Sequence, residues 1–200
     1  MKINYEKKLD SVGGIEKNKG CINNDIEIEA GFSEIERIFN SYLPQSYKEF
    51  CANVGSFTFL NLICVKCIDE AQFMLPDNKV SVGDFYCITG NDKLSITNVL
   101  QNFNEQLPTG MLPICEGELG DHICISLRKE DFEYIYYFDH ESSPGDDLFL
   151  ISKGFNDFIT GLEIYEGEKN DDDLVKKMKA DYSPQLITLL KQSGYYLKKK

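Results

Sequence analysis

The sequence predicts an α+β fold with a central, mostly antiparallel sheet flanked by helices, and three observations lead to this prediction. Segments with apolar residues at helical spacing lie on both sides of the chain's middle part. The middle part contains short segments rich in β-branched and aromatic residues, separated by turn residues. These strands are grouped together, which favours α+β over an alternating βαβ arrangement.

The helices are predicted from caps, breakers and apolar periodicity. Ser33 is a suitable N-cap, and Glu36 three residues later would complete a capping box. Pro44 ends this first helix, because the residue before a proline avoids helical geometry. A second helix follows Pro44 and stops at Gly55, which suits a C-terminal cap. Further helices are predicted over 68–73, 96–103 and 155–166.

The strands are predicted from alternation and from the turns between them. In the best example Ile123 and Ile125 share one face, while His122 and Cys124 share the other. The same alternation places at least one of the neighbouring residues 136 and 137, both tyrosines, in the core. Strands are predicted over 57–65, 85–89, 111–116, 122–127, 134–139 and 148–152.

Shifts in composition suggest three segments. Residues 1–30 are polar and form an N-terminal arm, in which Ile22, Ile26 and Ile28 suit a short strand or a hooked arm. Residues 31–168 hold the main domain. Residues 169–200 form a C-terminal helical extension after a charged linker.

The net charge is −12 and the isoelectric point is near 4.6. A negative field repels phosphate backbones, so we expect no nucleic-acid partner. The charge favours a basic protein partner, or it only keeps the protein soluble.

Seven cysteines occur, an odd number, and most stand within apolar runs. This pattern suits a reducing compartment better than a disulfide framework. The sequence shows no signal peptide and no run of apolar residues long enough for a membrane helix. We therefore expect a cytoplasmic protein with no membrane partner. A monomer is the expected state, with a dimer through the terminal helices as the alternative.

Several short motifs occur in a particular order. They are Leu-Pro-x-x-Tyr-x-x-Phe at 43–50, Leu-Pro-Ile at 112–114, Gly-Asp at 120–121, Asp-His-Glu at 139–141, and Phe-x-x-Phe at 155–158. With this order and spacing, residues 33–162 resemble the SMI1/KNR4 family, also called the SUKH superfamily. The family often has Asn-Gly-Gly after the Tyr/Phe helix, whereas this chain has Asn-Val-Gly at 53–55.

The resemblance implies an α+β domain and a binding function without catalysis or cofactor. Many bacterial members resemble immunity proteins that neutralise polymorphic toxins. The expected partner is therefore a cognate toxin domain, with a nuclease as one candidate. The fungal members suggest an alternative, a regulatory scaffold that binds a non-toxin protein. This chain lacks the long disordered flanks expected of such a scaffold.

The central part of the sequence supplies the candidate binding residues. Ten acidic residues but only two basic ones lie between Glu116 and Asp147. Acidic groups would steer towards the basic cleft of a nuclease, and tyrosines are typical interface anchors. The predicted partner-binding residues are Glu116, Glu118, Asp121, Tyr134, Asp139, Glu141, Asp146 and Asp147.

No catalytic residue and no metal site are predicted. Cys64 and Cys67 form only half of a zinc motif, and no second pair exists, so we interpret them as packing residues. His122 and Cys124 would lie roughly 6.5–7 Å apart along a strand, which is too far for direct activation of the thiol. Asp121 is interpreted as ending its turn through local side-chain bonds to the backbone. A hydrolase using His122 or His140 remains a third alternative, which alanine variants of both would test.

Overall fold

The computed structural model describes residues 3–18, 24–70, 74–90, 94–103 and 106–166. Five helices and nine strands lie within these residues, and all the named strand pairs are antiparallel, which confirms the α+β prediction. The elements are α1 (Tyr5–Ser11), β1 (Ile15–Lys17), α2 (Asp25–Phe39), α3 (Gln45–Asn53), β2 (Phe57–Phe59), β3 (Ile63–Lys66), β4 (Lys79–Val82), α4 (Ile96–Phe103), β5 (Met111–Glu116), β6 (His122–Ser126), β7 (Ile135–Phe138), β8 (Leu148–Ser152), α5 (Phe155–Gly161) and β9 (Glu163–Ile164).

The strands pair into three sheets rather than a single one. β1 pairs with β2, the order β4-β3-β9 forms a second sheet, and β5-β6-β7-β8 forms a four-stranded meander. The predicted strand over 57–65 is interrupted at 60–62, so its two halves pair with different partners. The predicted strand over 85–89 contributes only isolated bridges, at Phe85 and Cys87.

The helix predicted to begin at Ser33 begins instead at Asp25. The side chain of Asn24 accepts a hydrogen bond from the backbone N–H of Glu27 at 2.9 Å and caps the helix. Ser33 lies inside the helix, where its hydroxyl donates to the carbonyl of Glu29 at 2.9 Å. The predicted capping box is therefore wrong. Asn24 is an equally good cap, and acidic residues in the first turn favour the earlier start.

The longer helix also overturns the strand interpretation of Ile26 and Ile28. Both residues belong to α2, and Ile28 is buried together with Phe32 and Ile35 on one face of that helix. Ile22 lies outside the described residues. The next helix, α3, follows Pro44 as predicted, and Gly55 adopts φ 76°, as its capping role requires.

The N-terminal residues pack into the same core as the rest. Tyr5, Leu9 and Val12 are buried there. The Tyr5 hydroxyl donates to the carbonyl of Ser46 at 3.1 Å and to the side-chain oxygen of Asn156 at 2.9 Å. The domain boundaries at 30 and 168 stay predictions, and the predicted helical extension over 169–200 lies outside the described residues.

The last predicted helix is shorter than expected. α5 ends at Gly161, and β9 then pairs with β3 in the second sheet. No helix forms at 68–70, and the rest of that predicted element lies outside the described residues. None of the described helices combines the length and apolar character that crossing a membrane requires.

Candidate functional site

The register of the four-stranded sheet brings the predicted acidic residues together at one end. Glu116 pairs with His122, His122 with Phe138, and Phe138 with Leu148. The turn over 117–121 and the loop over 139–147 therefore leave the sheet at the same end, and neither contains lysine or arginine. We call this surface the acidic end; its members are Glu116, Glu118, Asp121, Asp139, Glu141, Asp146 and Asp147.

Tyr134 does not belong to this end. It precedes β7, at the hairpin between β6 and β7, and its backbone N–H donates to the carbonyl of Asp131 at 3.0 Å. This hairpin lies at the opposite end of the sheet, where Ser126 meets Met111. Of the eight predicted binding residues, seven thus lie at the acidic end and one, Tyr134, lies at the opposite end of the sheet.

The acidic residues differ in their exposure. Asp121 and Asp139 are half-buried, whereas Asp147 is only 7% exposed and accepts a hydrogen bond from the backbone N–H of Gly145 at 3.2 Å. The Asp147 carboxylate therefore stabilises the loop over 139–147 rather than facing a partner. The carboxylates presented most openly to a partner are those of Glu116, Glu118, Glu141 and Asp146.

Asp121 connects the two segments of the acidic end. Its carboxylate accepts hydrogen bonds from the Tyr137 hydroxyl at 2.6 Å and from the backbone N–H of His140 at 3.1 Å. The interpretation that Asp121 ends its turn through local side-chain bonds is therefore wrong. Backbone bonds close the turn instead, between Gly117 N–H and the Asp121 carbonyl and between Asp121 N–H and the Glu118 carbonyl, both at 2.8 Å.

The side chains of Asp121, Asp139 and His140 also suit a cation by type. One ligand atom from each lies within 4.8 Å of the others. However, His140 Nδ1 lies 2.6 Å from an Asp121 oxygen, which is a direct hydrogen bond. Asp139 accepts hydrogen bonds from Glu141 N–H at 2.9 Å and from the Ser142 hydroxyl at 2.6 Å. In this arrangement Asp121 and His140 link the two segments, while Asp139 bonds within its own loop.

His122 lies beneath the acidic end and is 3% exposed. Its Nδ1 is 2.8 Å from the Tyr86 hydroxyl, and its ring packs edge-on against Phe103 with centroids 4.5 Å apart. Its Nε2 has no hydrogen-bond partner among the residues that the structure describes.

The neighbouring Cys124 is buried against Met111 and other apolar side chains, and this burial raises the pKa of its thiol. The arrangement fits a packing role for both residues.

Burial of His122 predicts a loss of stability in acid. Desolvation lowers the pKa of His122 from 6.5 to about 4, opposed by Asp121 and assisted by His140. Below pH 6.5 the His122 imidazole of the unfolded chain therefore binds a proton, whereas in the folded protein it stays neutral down to about pH 4. Linkage predicts that this group costs up to about 3 kcal/mol of stability over that interval.

Urea unfolding at several pH values between 7 and 4 would measure this effect. The wild-type free energy of unfolding should fall more steeply than that of His122→Gln, because the variant lacks the titrating group. Parallel pH profiles for the two proteins would contradict the assignment.

Cys64 and Cys67 are both buried, as packing residues would be. Burial raises the pKa of the Cys67 thiol to about 12, assisted by Asp69. All six cysteines in the described part of the chain are free and buried. Thiols with raised pKa values carry little thiolate at neutral pH, so they are poor nucleophiles.

One exposed residue of the acidic end escaped the sequence interpretation. Leu119, between Glu118 and Gly120, is 96% exposed at the tip of the turn. A large apolar residue in a turn between two strands is unusual, since such positions favour polar residues or glycine. This unusual residue type is the sequence signal that could have identified Leu119.

Comparison with known proteins agrees with the fold and the ordered motifs. Residues 28–161 match the model of the SMI1 / KNR4 family (SUKH-1). The chain is also similar to the SPbeta prophage-derived uncharacterized protein YokK of Bacillus subtilis (strain 168). The two are 25% identical over 154 residues, which cover 71% of this chain and 79% of that protein. Because the family model covers more than half of the sequence, the chain belongs to the SMI1/KNR4 (SUKH-1) family.

Proposed function

We propose that this protein is an immunity protein that binds a cognate toxin domain and blocks its active site or its access to substrate, without catalysis. Membership of the SUKH-1 family supports this class of function. The observation that carries the proposal is the convergence of seven acidic residues at one end of a rigid sheet, on connections without lysine or arginine.

The chemistry of that end suits a basic toxin cleft. Glu116, Glu118, Glu141 and Asp146 present carboxylates to solvent, where they would attract a positively charged surface over a distance. In a nuclease such a surface holds the phosphates of the substrate, so carboxylates bound there would exclude nucleic acid. Strand pairing and the bonds of Asp121 to Tyr137 and His140 hold together the two segments that carry these carboxylates before the partner arrives, which lowers the entropic cost of binding.

The other side chains support binding rather than catalysis. His122 lies beneath the surface, and the described cysteines are buried with no thiol presented to solvent. Asp121 and His140 bond to each other, and the Ser142 hydroxyl donates to Asp139. Catalysis by an activated nucleophile needs a nucleophile and a base within hydrogen-bond reach, next to a place for substrate.

Growth rescue is the direct test. The toxin domain encoded beside this gene would be expressed in a host cell with and without this protein, and complex formation would be measured at low and high salt. Rescue with a complex that weakens in salt is expected. Failure of rescue and of binding would overturn the proposal and favour the scaffold alternative, with a non-toxin partner to be sought by pull-down.

A matched pair of triple variants would test whether the acidic end carries the binding energy. Removing three exposed charges there with Glu116→Gln, Glu141→Gln and Asp146→Asn should weaken binding at least about tenfold at low salt, mainly through slower association. The control removes three exposed charges elsewhere, with Glu29→Gln, Glu70→Gln and Glu130→Gln. Equal weakening by both triples would mean that only net charge matters, and the acidic end would lose its special role.

A further inference from the structure

The tip of the β5–β6 turn presents a leucine to solvent in the middle of the acidic end. Leu119 is 96% exposed, and acidic residues stand close to it in the chain at 116, 118 and 121. Single exposed apolar residues are common and need no explanation by themselves. Leu119 differs from such residues in two respects, because its backbone conformation is strained and a groove lies beside its turn.

The backbone holds Leu119 in a conformation that leucine disfavours. Its φ is 52°, in the left-handed region, which costs a bulky non-glycine residue roughly 1–3 kcal/mol. Gly120 follows at φ 101°. A polar residue or glycine would fit this position with less strain, so folding alone does not explain why leucine occupies it.

The turn is held firmly despite this strain. Glu118 N–H donates to the Tyr137 hydroxyl at 3.3 Å, and the Ser81 hydroxyl donates to the Glu118 carboxylate. A Cβ atom placed on Gly117 would lie 2.9 Å from the ring of Tyr137, which shows how closely the turn packs on β7. These contacts fix the direction of the tip, so Leu119 is presented in a pre-organised position.

A groove of about 320 Å³ lies beside the turn. Gly117 and Glu118 form one wall, and Leu62, itself 74% exposed, lines another part. Asp84 and Glu118 are the charged residues among those that line it. The surface therefore combines exposed leucine side chains with negative charge. Its complement is an apolar depression bordered by lysine or arginine, whose long side chains can pack on leucine while their charged ends meet carboxylates.

We infer that the turn over 117–120 is an apolar anchor, in which Leu119 enters an apolar depression on a basic protein partner while a lysine or arginine of that partner lies in the adjacent groove against Glu118. This inference rests on the proposed function and deepens it, because it places the central contact on a leucine and assigns the carboxylates to the rim. In many interfaces a few well-packed, desolvated side chains carry most of the binding energy, and the surrounding contacts mainly exclude water.

Two substitutions remove the anchor without threatening the fold. Leu119→Gly and Leu119→Asn both suit a positive φ, so each variant should unfold at the wild-type temperature or above it. Binding to the toxin domain encoded beside the gene, measured by calorimetry, should weaken at least about tenfold for both variants. The control is Ile26→Asn on α2, an apolar residue 83% exposed, which should bind as the wild type does.

Salt dependence separates the anchor from the rim. Salt does not screen apolar contacts. The loss of binding affinity caused by Leu119→Gly should therefore persist at high salt, whereas the loss of affinity caused by the acidic-end triple variant should become smaller. Wild-type-like binding by Leu119→Gly and Leu119→Asn would overturn the anchor and leave the immunity function standing. Absence of binding by the wild-type protein would overturn the immunity function and the anchor with it.

Discussion

Replacing Phe50 with alanine is expected to lower the free energy of unfolding by about 3–5 kcal/mol, the largest effect of any single substitution considered for this fold. Phe50 is 1% exposed at the centre of the core. Its ring centroid lies 5.1 Å from those of Phe85 and Phe155, 5.3 Å from that of Tyr5 and 6.0 Å from that of Phe57. Removing the ring leaves a cavity among side chains from α1, β2 and α5 and the side chain of Phe85, which cannot all move to fill it.

Equilibrium unfolding in urea would measure this loss. Tyr42→Ala is the matched control, since that aromatic side chain is 82% exposed and its removal should change stability by no more than about 0.5 kcal/mol. Similar unfolding midpoints for the two variants would show that the rings around Phe50 do not form a rigid centre of the core.

Replacing Asp131 with alanine is expected to cost about 3 kcal/mol, because it breaks a partly buried ion pair and leaves its hydrogen-bond donors without an acceptor. The Asp131 carboxylate accepts hydrogen bonds from the Ser126 hydroxyl at 2.6 Å, the Tyr136 hydroxyl at 2.8 Å and Arg128 Nε at 3.0 Å. Burial alone would raise its pKa, but hydrogen bonds from Arg128, Ser126 and Tyr136 outweigh burial and lower it. Without the carboxylate, a buried serine hydroxyl and a partly buried guanidinium lose their acceptor.

The neighbouring Glu130 supplies a control for Asp131. Glu130 is exposed, so Glu130→Ala should leave the free energy of unfolding within about 0.5 kcal/mol of the wild type. Because the folded pKa of Asp131 is lowered, its stabilising contribution should be present at neutral pH and disappear as the pH falls below the usual carboxylate range. An Asp131→Ala variant as stable as Glu130→Ala would contradict the network.

The meander over β5–β8 was predictable because its signals are local. Alternating apolar residues and charged or glycine-containing turns located all four strands to within one or two residues. The expectation that one of two adjacent tyrosines is buried is also confirmed, since Tyr137 is 2% exposed and joins the main core. Pro44 and Gly55 set the ends of α3 for equally local reasons.

Elements that depend on distant partners were predicted less well. Two suitable caps, Asn24 and Ser33, compete for the start of α2, and local preference does not rank them. The longer helix is stabilised by burying Ile28 against the core, a contact that the sequence does not show. β9 was missed for a similar reason, because two residues form a strand only when β3 is there to pair with them.

The sequence by itself determined the excess of acidic residues, the four strands of the meander over β5–β8 and the placement of acidic residues directly after two of them, since each follows from composition or from short-range periodicity. Only the tertiary structure decided how those acidic residues differ. It buries Asp147, uses Asp121 to join two segments and leaves Glu116 and Glu141 at the surface. It also presents Leu119 at the tip of a strained turn. Exposure and hydrogen bonding depend on residues brought together from distant positions, and in this protein the strand register brings them together.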